Sequence, residues 1–325
     1  MKEFVNNILS VTPKTFTQLA LQVFNYQYQG NSVYRNWVNA LGVHLSSVQS
    51  INDIPFLPVS FFKSHKVVTG DFEPQVIFES SGTTQTTNSR HWVKDVSLYQ
   101  QSFVKGFEKF YGNIKDWCII GLLPSYLERS GSSLVIMVDE LIKLSAHKQS
   151  GFYLYEFEML ASVLQELENR KQKTLLIGVT FALLDFADQF HMTLKYTTVM
   201  ETGGMKGRRK EMVREEVHCL LRGGLGVEKV HSEYGMTELL SQAYSYGNGI
   251  FRTVPWMKVL LREEDNPLQI KQEGRGLINV IDLANIYSCS FIATDDVGTL
   301  YEDGSFEVLG RFDNSDIRGC SLMVV

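Results

Sequence analysis

A stretch rich in hydroxyl side chains is the first place in this sequence where chemistry can be expected. Residues 80–87 read Ser-Ser-Gly-Thr-Thr-Gln-Thr-Thr. The apolar run Val76–Phe78 predicts a short buried strand before them, and a helix is predicted over Val96–Phe110. Such a loop presents backbone N–H groups and hydroxyl donors to an anion, although a solvated turn is the alternative interpretation. We expect a phosphate to be held by Ser80, Ser81, Gly82, Thr83 and Thr84.

A pair of glycines, Gly203 and Gly204, follows a strand that is predicted over 197–200. Ligands of open α/β sheets bind at the carboxyl ends of the strands. Glycine at such a place lets a flat ring approach the backbone closely. We therefore expect a ring of a bound ligand to lie against this turn.

The next predicted strand, over 227–231, leads into Ser-Glu-Tyr-Gly-Met-Thr-Glu at residues 232–238. We expect this segment to enter a helix that carries a hydroxyl and a carboxylate in its first turn. Tyr234 can stack on a base, Thr237 can donate to a phosphate at the helix N-terminus, and Glu238 can hold Mg²⁺ through hard oxygen atoms. A capped helix with a packed tyrosine is the alternative.

An acidic pair, Asp295 and Asp296, lies in a predicted loop before a predicted hairpin over 298–309. A carboxylate can accept two O–H hydrogen bonds, which is what a ribose diol offers. Arg311 follows the hairpin and supplies a cation. A solvated acidic turn is the alternative interpretation.

The composition of the chain argues against several classes of protein. Its 325 residues are 44% hydrophobic and 21% charged, as in a globular protein with a large core. The net charge of −5 argues against a nucleic-acid partner. No apolar window suits a membrane span, and the N-terminus lacks signal-peptide features. The 4 cysteines form no C-x-x-C pair and the 7 histidines show no metal-ligand spacing, which favours a cytoplasmic protein with free thiols.

Strands and helices alternate after residue 116, which predicts parallel β-α-β units. The predicted strands cover 117–123, 174–179, 197–200 and 227–231. The predicted helices cover 132–142, 157–167, 181–190 and 206–221. The first 50 residues are predicted to be helical, and two prolines make 54–59 extended. We expect a helical N-terminal segment packed on the core (1–70), an α/β nucleotide-binding core (71–250) and a β-rich subdomain (251–325).

Taken in order along the chain, these stretches resemble the adenylate-forming enzyme superfamily. Ser80–Thr84 looks like its phosphate loop, Gly203-Gly204 like its adenine-side turn, and Tyr234–Glu238 like its aromatic-Gly-x-Thr-Glu signature. Asp296 and Arg311 stand at its ribose- and phosphate-contacting positions. A narrower resemblance is to the LuxE-type acyl-protein synthetase family of bacterial luminescence, and more distantly to phenylacetate–CoA ligases. It is carried by Ile54–Pro58, Phe61–Lys63 and Leu123–Arg129.

The resemblance implies an adenylate-forming α/β fold, with parallel sheets flanked by helices and a β-rich subdomain that ends at a hinge. It implies ATP and Mg²⁺ as cofactors and a carboxylic acid, in this family a fatty acid, as substrate. A carboxylate oxygen attacks the α-phosphorus of ATP, and a thiol then takes the acyl group. Catalytic roles fall on Thr237, Glu238 and Arg311, and nucleotide contacts on Tyr234 and Gly235.

In LuxE-type proteins the acyl group rests on a cysteine near the C-terminus before it moves to a partner reductase. Cys320 follows a glycine and lies two residues from Arg318, which favours its thiolate. An unreactive thiol is the alternative. The resemblance thus implies that Cys320 is catalytic and that the partner is an acyl-CoA reductase-like or acyl-carrier protein.

The sequence departs from the superfamily pattern in three respects. Gln85 stands where most adenylate-formers have glycine, and the loop ends without a lysine, for which Arg90 is the substitute. The sequence ends 5 residues after Cys320, so we expect the C-terminal lid domain to be lacking.

Two other functions stay open on these observations. The chain can be a carboxylate–CoA ligase of the phenylacetate–CoA ligase type, in which Cys320 is idle. It can also be a catalytically inactive nucleotide-binding partner protein. The three functions predict different results. An acyl-protein synthetase forms an acyl adduct on Cys320, a CoA ligase forms acyl-CoA without an adduct, and an inactive nucleotide-binding protein releases no pyrophosphate.

Overall fold

The computed structural model describes residues 7–80, 88–123, 131–203 and 212–312. Their helices are α1 (Pro13–Gly30), α2 (Ser32–Ala40), α3 (Phe61–Ser64), α4 (Val96–Tyr111), α5 (Ser133–Ser145), α6 (Phe157–Asn169), α7 (Thr180–Gln189) and α8 (Arg214–Leu225). Their strands are β1 (Leu57–Pro58), β2 (Val76–Glu79), β3 (Arg90–Val93), β4 (Cys118–Leu122), β5 (Gly151–Phe152), β6 (Thr174–Val179), β7 (Thr197–Thr202), β8 (Val230–Tyr234), β9 (Ala243–Ser245), β10 (Ile250–Thr253), β11 (Met257–Arg262), β12 (Ile270–Lys271), β13 (Gly274–Asp282), β14 (Phe291–Leu300) and β15 (Phe306–Arg311).

The chain divides into two compact units. We call one the parallel-sheet unit, which contains Phe62–Lys66 and Asp71–Val254. We call the other the β-rich unit, which contains the chain up to Phe61, Val67–Gly70 and the chain from Pro255 onward. None of the helices in the described part of either unit is both long and apolar enough to cross a membrane.

The parallel-sheet unit is built on strands in the order β5-β4-β6-β7-β8-β9-β10. Pairing is parallel from β5 to β8 and antiparallel at β9 and β10. Every residue of β4 and β6 is buried, which explains their uninterrupted apolar runs. The predicted strand–helix alternation and the parallel sheet are therefore confirmed.

Helices α7 and α8 pack on each other and on the strands of this sheet. The helix predicted over 206–221 corresponds to α8; residues 206–211 lie outside the described residues, and α8 begins at Arg214 and ends at Leu225, four residues beyond the predicted end. It ends there because Gly226 takes φ 63°, a left-handed conformation that glycine adopts without strain. The following strand shifts with it, so that Tyr234 is the last residue of β8 instead of lying beyond the strand.

Strands β2 and β3 form a separate antiparallel ribbon in the same unit. The strand predicted over Val76–Phe78 is present, but only Phe78 in it is buried. The loop after it therefore connects two strands of a ribbon. The helix predicted after the loop is confirmed as α4, and the Asp95 side chain caps it by accepting from the Ser97 N–H at 2.9 Å.

The β-rich unit contains an antiparallel sheet in the order β12-β11-β13-β14-β15. The predicted hairpin is confirmed as β14 and β15, with Gly304 at φ 77° in its turn. The proline-bounded segment is extended as predicted, and its strand β1 pairs in parallel with β14.

Within the β-rich unit, the buried amide of Gln27 fixes helix α1 to the segment before β14. Gln27 Nε2 donates to the carbonyl oxygens of Asn285 and Ile286, each at 3.0 Å, and its Oε1 accepts from the Ser290 N–H at 2.9 Å. Gln27 is fully buried, so these backbone groups have no access to water. One side chain thus bonds three backbone groups of the segment that precedes β14.

Replacing this amide should cost measurable stability. Gln27→Leu leaves the buried backbone groups of Asn285, Ile286 and Ser290 without these partners, at about 1–3 kcal/mol for an unsatisfied group. We expect the free energy of unfolding in urea to fall by about 2–4 kcal/mol. Gln22→Leu at an exposed position of α1 is the matched control and should change it by about 0.5 kcal/mol or less. Equal stabilities of the two variants would contradict this account.

Candidate active site

The carboxyl ends of β6, β7 and β8 lie side by side, as the sequence predicts. Gly178 pairs with Glu201, and Glu201 pairs in turn with Ser232. Thr180, just after β6, donates from Oγ1 to the carbonyl oxygen of Gly203 at 2.6 Å. Gly203 takes φ 72°, so the turn after β7 requires its conformational freedom. Gly204 lies outside the described residues.

One carboxyl group, that of Glu233, joins the last residue of β7 to the first residue after β8. Thr202 Oγ1 donates to Glu233 Oε2 at 2.5 Å. The other oxygen of Glu233 lies against Gly235, where an added Cβ would collide with it. A larger residue at 235 would therefore displace the Glu233 carboxyl, which contacts both the last residue of β7 and the first residue after β8.

Two carboxylates are buried at these strand ends. Glu201 lies 3.2 Å from Thr180 Oγ1, 3.6 Å from His218 Nε2 and 3.9 Å from Arg214 Nε. The pKa of Glu233 is raised to about 7, chiefly by burial; the hydrogen bond from Thr202 opposes the increase, and the negative charge of Glu201 adds to it. Glu233 is therefore a carboxyl group that changes its protonation near neutral pH.

The segment after β8 is a turn, so the predicted helix is wrong. Thr237 and Glu238 lie in the connection from β8 to the antiparallel strand β9, and Leu239 N donates to Met236 O at 3.1 Å within it. A hydroxyl and a carboxylate after glycine suit a tight turn as well as a helix start. Here the pairing of β9 with β8 requires the chain to reverse. No helix dipole then acts at Thr237, although Glu238 is 5% exposed and so lies in a buried position.

His91 attaches this turn to the ribbon. Its Nδ1 lies 2.9 Å from the carbonyl oxygen of Thr237, which can only accept, so the proton is on Nδ1. The imidazole is buried, with the rings of Phe62 and Phe78 edge-on to it at 5.8 and 6.1 Å. The backbone of Thr237 is therefore held in place by a side chain of strand β3.

Ser80, the first residue of the predicted phosphate loop, is bonded to the residue that precedes the strand carrying His91. Ser80 N donates to Ser89 O at 3.1 Å, and Ser89 N donates to Ser80 Oγ at 2.9 Å. Arg90 pairs across the ribbon with Glu79 at 3.1 Å and is largely exposed. Ser80 is thus bonded to Ser89, two residues before the histidine that contacts Thr237. Four predicted phosphate-binding residues lie outside the described residues: Ser81, Gly82, Thr83 and Thr84.

The acidic pair predicted in a loop lies instead inside β14. Asp296 faces Arg311 of β15 as its cross-strand partner, with Arg311 Nε 3.6 Å from Asp296 Oδ1. Asp296 is nearly buried, whereas Arg311 is mostly exposed. These two residues belong to the β-rich unit, and Cys320 lies outside the described residues.

Sequence reasoning missed four residues of this arrangement. Glu201 and Glu233 could have been noticed, because each is an acidic residue at the end of an apolar strand. Thr180 and His91 gave no signal, since their roles depend on contacts with distant segments. In the described part of the chain, no three His, Cys, Asp or Glu side chains are grouped to hold a metal ion.

The Glu233 carboxyl should make stability depend on pH. Its pKa is about 7 when folded, above the ordinary value of 4.5, so the folded protein binds an extra proton between these values. The stability that this pKa shift contributes is therefore present in full below pH 4.5 and is lost as the pH rises through about 7. Glu233→Gln, which stays neutral, should gain stability relative to the parent between about pH 5 and 8, by about 1.4 kcal/mol for each unit of the pKa shift.

Urea unfolding at the two pH values measures this difference. The exposed Glu228→Gln is the matched control and should leave the pH dependence as in the parent protein. If Glu233→Gln and the parent differ equally at both pH values, the proposed protonation of Glu233 is wrong.

Comparison with known proteins identifies the family of this chain. The family model for "Acyl-protein synthetase, LuxE" matches residues 11–325. The long-chain-fatty-acid–luciferin-component ligase of Aliivibrio fischeri is 22% identical over 332 residues, which cover 94% of this chain and 86% of that protein. The enzyme of the same name from Vibrio harveyi is 22% identical over 340 residues, with the same coverage.

Solved structures show the same fold. The open conformation of 2-hydroxyisobutyryl-CoA ligase, in complex with its 2-HIB-AMP adduct and CoA, superposes with a TM-score of 0.63 at 12% identity and covers 94% of this chain and 72% of its own. ATP-bound MatB from Rhodopseudomonas palustris gives 0.55 at 17% identity, with coverage of 74% and 49%. The fold is thus that of adenylate-forming enzymes, as predicted. Since the family model matches nearly the whole sequence, the chain belongs to the LuxE family of acyl-protein synthetases.

Proposed function

We propose that this protein activates a carboxylic acid, a long-chain fatty acid, with ATP and transfers the acyl group to a protein cysteine thiol. Membership of the LuxE family is the observation that carries this proposal. The names of the two curated relatives support a fatty acid and an acceptor other than water. The His91–Thr237 contact supports a nucleotide site, because it holds the base of the hydroxyl-rich loop beside the Thr237–Glu238 turn.

In the first step, a carboxylate oxygen attacks the α-phosphorus of ATP. The bond from the α-phosphorus to the bridging oxygen breaks, and its electron pair leaves with pyrophosphate. The acyl-adenylate keeps the oxygen that attacked. This step needs positioning and charge neutralisation more than a base. We assign Ser80 and its loop to the phosphates, Thr237 to a phosphate hydrogen bond, and Arg311 to charge neutralisation.

The donor chemistry of Glu238 fits Mg²⁺. The ion prefers hard oxygen ligands and uses one or two carboxylates together with substrate phosphates. Glu238 offers such a carboxylate in a buried turn whose backbone is held by His91. When bound, Mg²⁺ would supply charge neutralisation at the phosphates. We assign Tyr234, Gly235 and the Gly203–Gly204 turn to the adenine, and Asp296 to the ribose hydroxyls.

In the second step, the thiolate of Cys320 attacks the acyl carbonyl carbon. The bond from that carbon to the AMP oxygen breaks, AMP leaves with the electron pair, and a thioester forms. The thiol proton goes to solvent before the attack. A partner of the reductase or acyl-carrier type then receives the acyl group from Cys320.

Pyrophosphate release with a panel of carboxylates tests the proposal. We expect ATP-dependent release that rises with the length of an aliphatic chain. Release at background with every carboxylate, despite ATP binding, would contradict it and favour a non-catalytic nucleotide-binding protein. Acyl-CoA formation without a protein adduct would favour the CoA-ligase alternative.

Removing the negative charge of Glu238 should weaken adenylation. We expect Glu238→Gln to lower carboxylate-dependent pyrophosphate release by about 100-fold and to raise the Mg²⁺ concentration that gives half-maximal rate, because the amide is a poorer ligand. The exposed Glu228→Gln serves as the control and should behave as the parent. An unchanged Mg²⁺ dependence of Glu238→Gln would exclude this residue as the ligand.

The acceptor thiol can be located by intact-protein mass spectrometry. After incubation with ATP, Mg²⁺ and a fatty acid, the parent should carry one acyl group. Cys320→Ser should release pyrophosphate but carry no acyl group, since the serine hydroxyl is a much weaker nucleophile at neutral pH. Cys219→Ser removes an exposed thiol and should be acylated like the parent. Acylation of Cys320→Ser would show that the thiol is elsewhere.

A further inference from the structure

Asp296 lies in an irregularity of strand β14. Ala293 pairs with Asn279 and Val297 pairs with Leu277, so residues 294–296 lie opposite the single residue Ile278. Such a bulge changes the direction of the side chains that follow it. The orientation of the Asp296 carboxylate therefore depends on how the bulge is held.

The bulge is held by the guanidinium of Arg262, on strand β11. Arg262 Nη2 donates to Thr294 O at 2.6 Å, and Nη1 donates to Ile278 O at 3.1 Å and to Asn279 Oδ1 at 2.7 Å. Arg262 thus joins the bulged strand to the residue opposite the bulge. Its acceptors are two carbonyl oxygens and an amide oxygen.

Thr294 carries this restraint to Asp296. Its hydroxyl donates to Ile278 O at 2.9 Å and accepts from the Asp296 N–H at 3.1 Å. Arg262 and the Thr294 hydroxyl therefore fix both the carbonyl side of the bulge and the amide of Asp296. A continuous set of hydrogen bonds leads from the guanidinium to the backbone of the aspartate.

The burial of Arg262 indicates that its hydrogen bonds to the bulge serve a purpose other than stability. The residue is 9% exposed, and burying a charge is costly unless hydrogen bonds compensate for it. Burial lowers the pKa of Arg262 to about 10, and the nearby charge of Asp295 opposes that decrease, so the group stays cationic at neutral pH. An apolar side chain would fill the same position of β11 at lower electrostatic cost.

We propose that Arg262 is a positioning residue for ribose recognition, which fixes the 294–296 bulge and so aims the Asp296 carboxylate at the sugar hydroxyls. This inference rests on the proposed function, in which Asp296 binds the ribose of ATP. The planar guanidinium reaches three acceptors at once, whereas a lysine ammonium lacks that fixed geometry. Arg262→Lys should therefore keep the positive charge at this position but not the orientation of the Asp296 carboxylate.

Discrimination between nucleotides isolates this role from general stability. The measured quantity is the ratio of kcat/KM for ATP to that for 2′-deoxyATP, and likewise for 3′-deoxyATP, in carboxylate-dependent pyrophosphate release. Both values come from one preparation, so a loss of folded protein cancels in the ratio. We expect Asp296→Ala to reduce the ratio by about 10-fold to 100-fold, the value of a hydrogen bond to a charged acceptor.

Arg262→Met and Arg262→Lys should each reduce the ratio by at least about 3-fold, because the carboxylate is no longer held in place. Arg275→Met, at an exposed position of the adjacent strand β13, is the matched control and should keep the parent ratio. In the double variant Arg262→Met with Asp296→Ala, the ratio should equal that of Asp296→Ala alone, since Arg262 acts through Asp296.

The outcomes separate this inference from the proposed function. If the parent releases no pyrophosphate with any carboxylate, the proposed function is wrong and the role of Arg262 in ribose recognition is wrong too. If the parent is active and Asp296→Ala lowers the ratio while both Arg262 variants keep it, the function stands and the role of Arg262 is overturned. A ratio that Asp296→Ala leaves unchanged also overturns the inference.

Discussion

The hydrogen bond from Thr202 to Glu233 is the interaction on which the candidate site of the parallel-sheet unit depends. Parallel pairing places the ends of β7 and β8 next to each other, but pairing alone does not fix the turns that follow. The Glu233 carboxyl contacts the end of β7 through Thr202 and lies directly against Gly235, so a side chain at 235 would displace it. A buried polar contact thus restrains the chain at the points where it leaves β7 and β8.

A second buried contact extends the site to a segment that is distant in sequence. His91 holds the carbonyl of Thr237 and so places the base of the hydroxyl-rich loop beside the Glu238 turn. The β-rich unit uses a similar device at Arg262, whose guanidinium fixes the bulge that carries Asp296. In each case a buried polar side chain fixes the backbone at a residue to which we assign a nucleotide contact.

The sequence predicted the elements of the fold better than their exact limits and turns. Uninterrupted apolar runs identified β4 and β6, because both faces of these strands are buried. The Thr237–Glu238 segment was predicted as a helix start, since turns and helix caps use the same residue types and only the pairing of β9 with β8 decides between them. The contacts of Glu233, His91 and Arg262 join segments far apart in sequence, so these contacts cannot be predicted from a local sequence pattern.

The central claim is that a carboxylate oxygen attacks the α-phosphorus of ATP, and isotope transfer tests it most directly. A fatty acid labelled with ¹⁸O in both carboxyl oxygens is incubated with the protein, ATP and Mg²⁺, and the nucleotide products are analysed by mass spectrometry. The account predicts AMP that carries one ¹⁸O, because the attacking oxygen leaves with AMP when the acyl group is transferred. Unlabelled AMP, or ADP together with labelled phosphate, would contradict it.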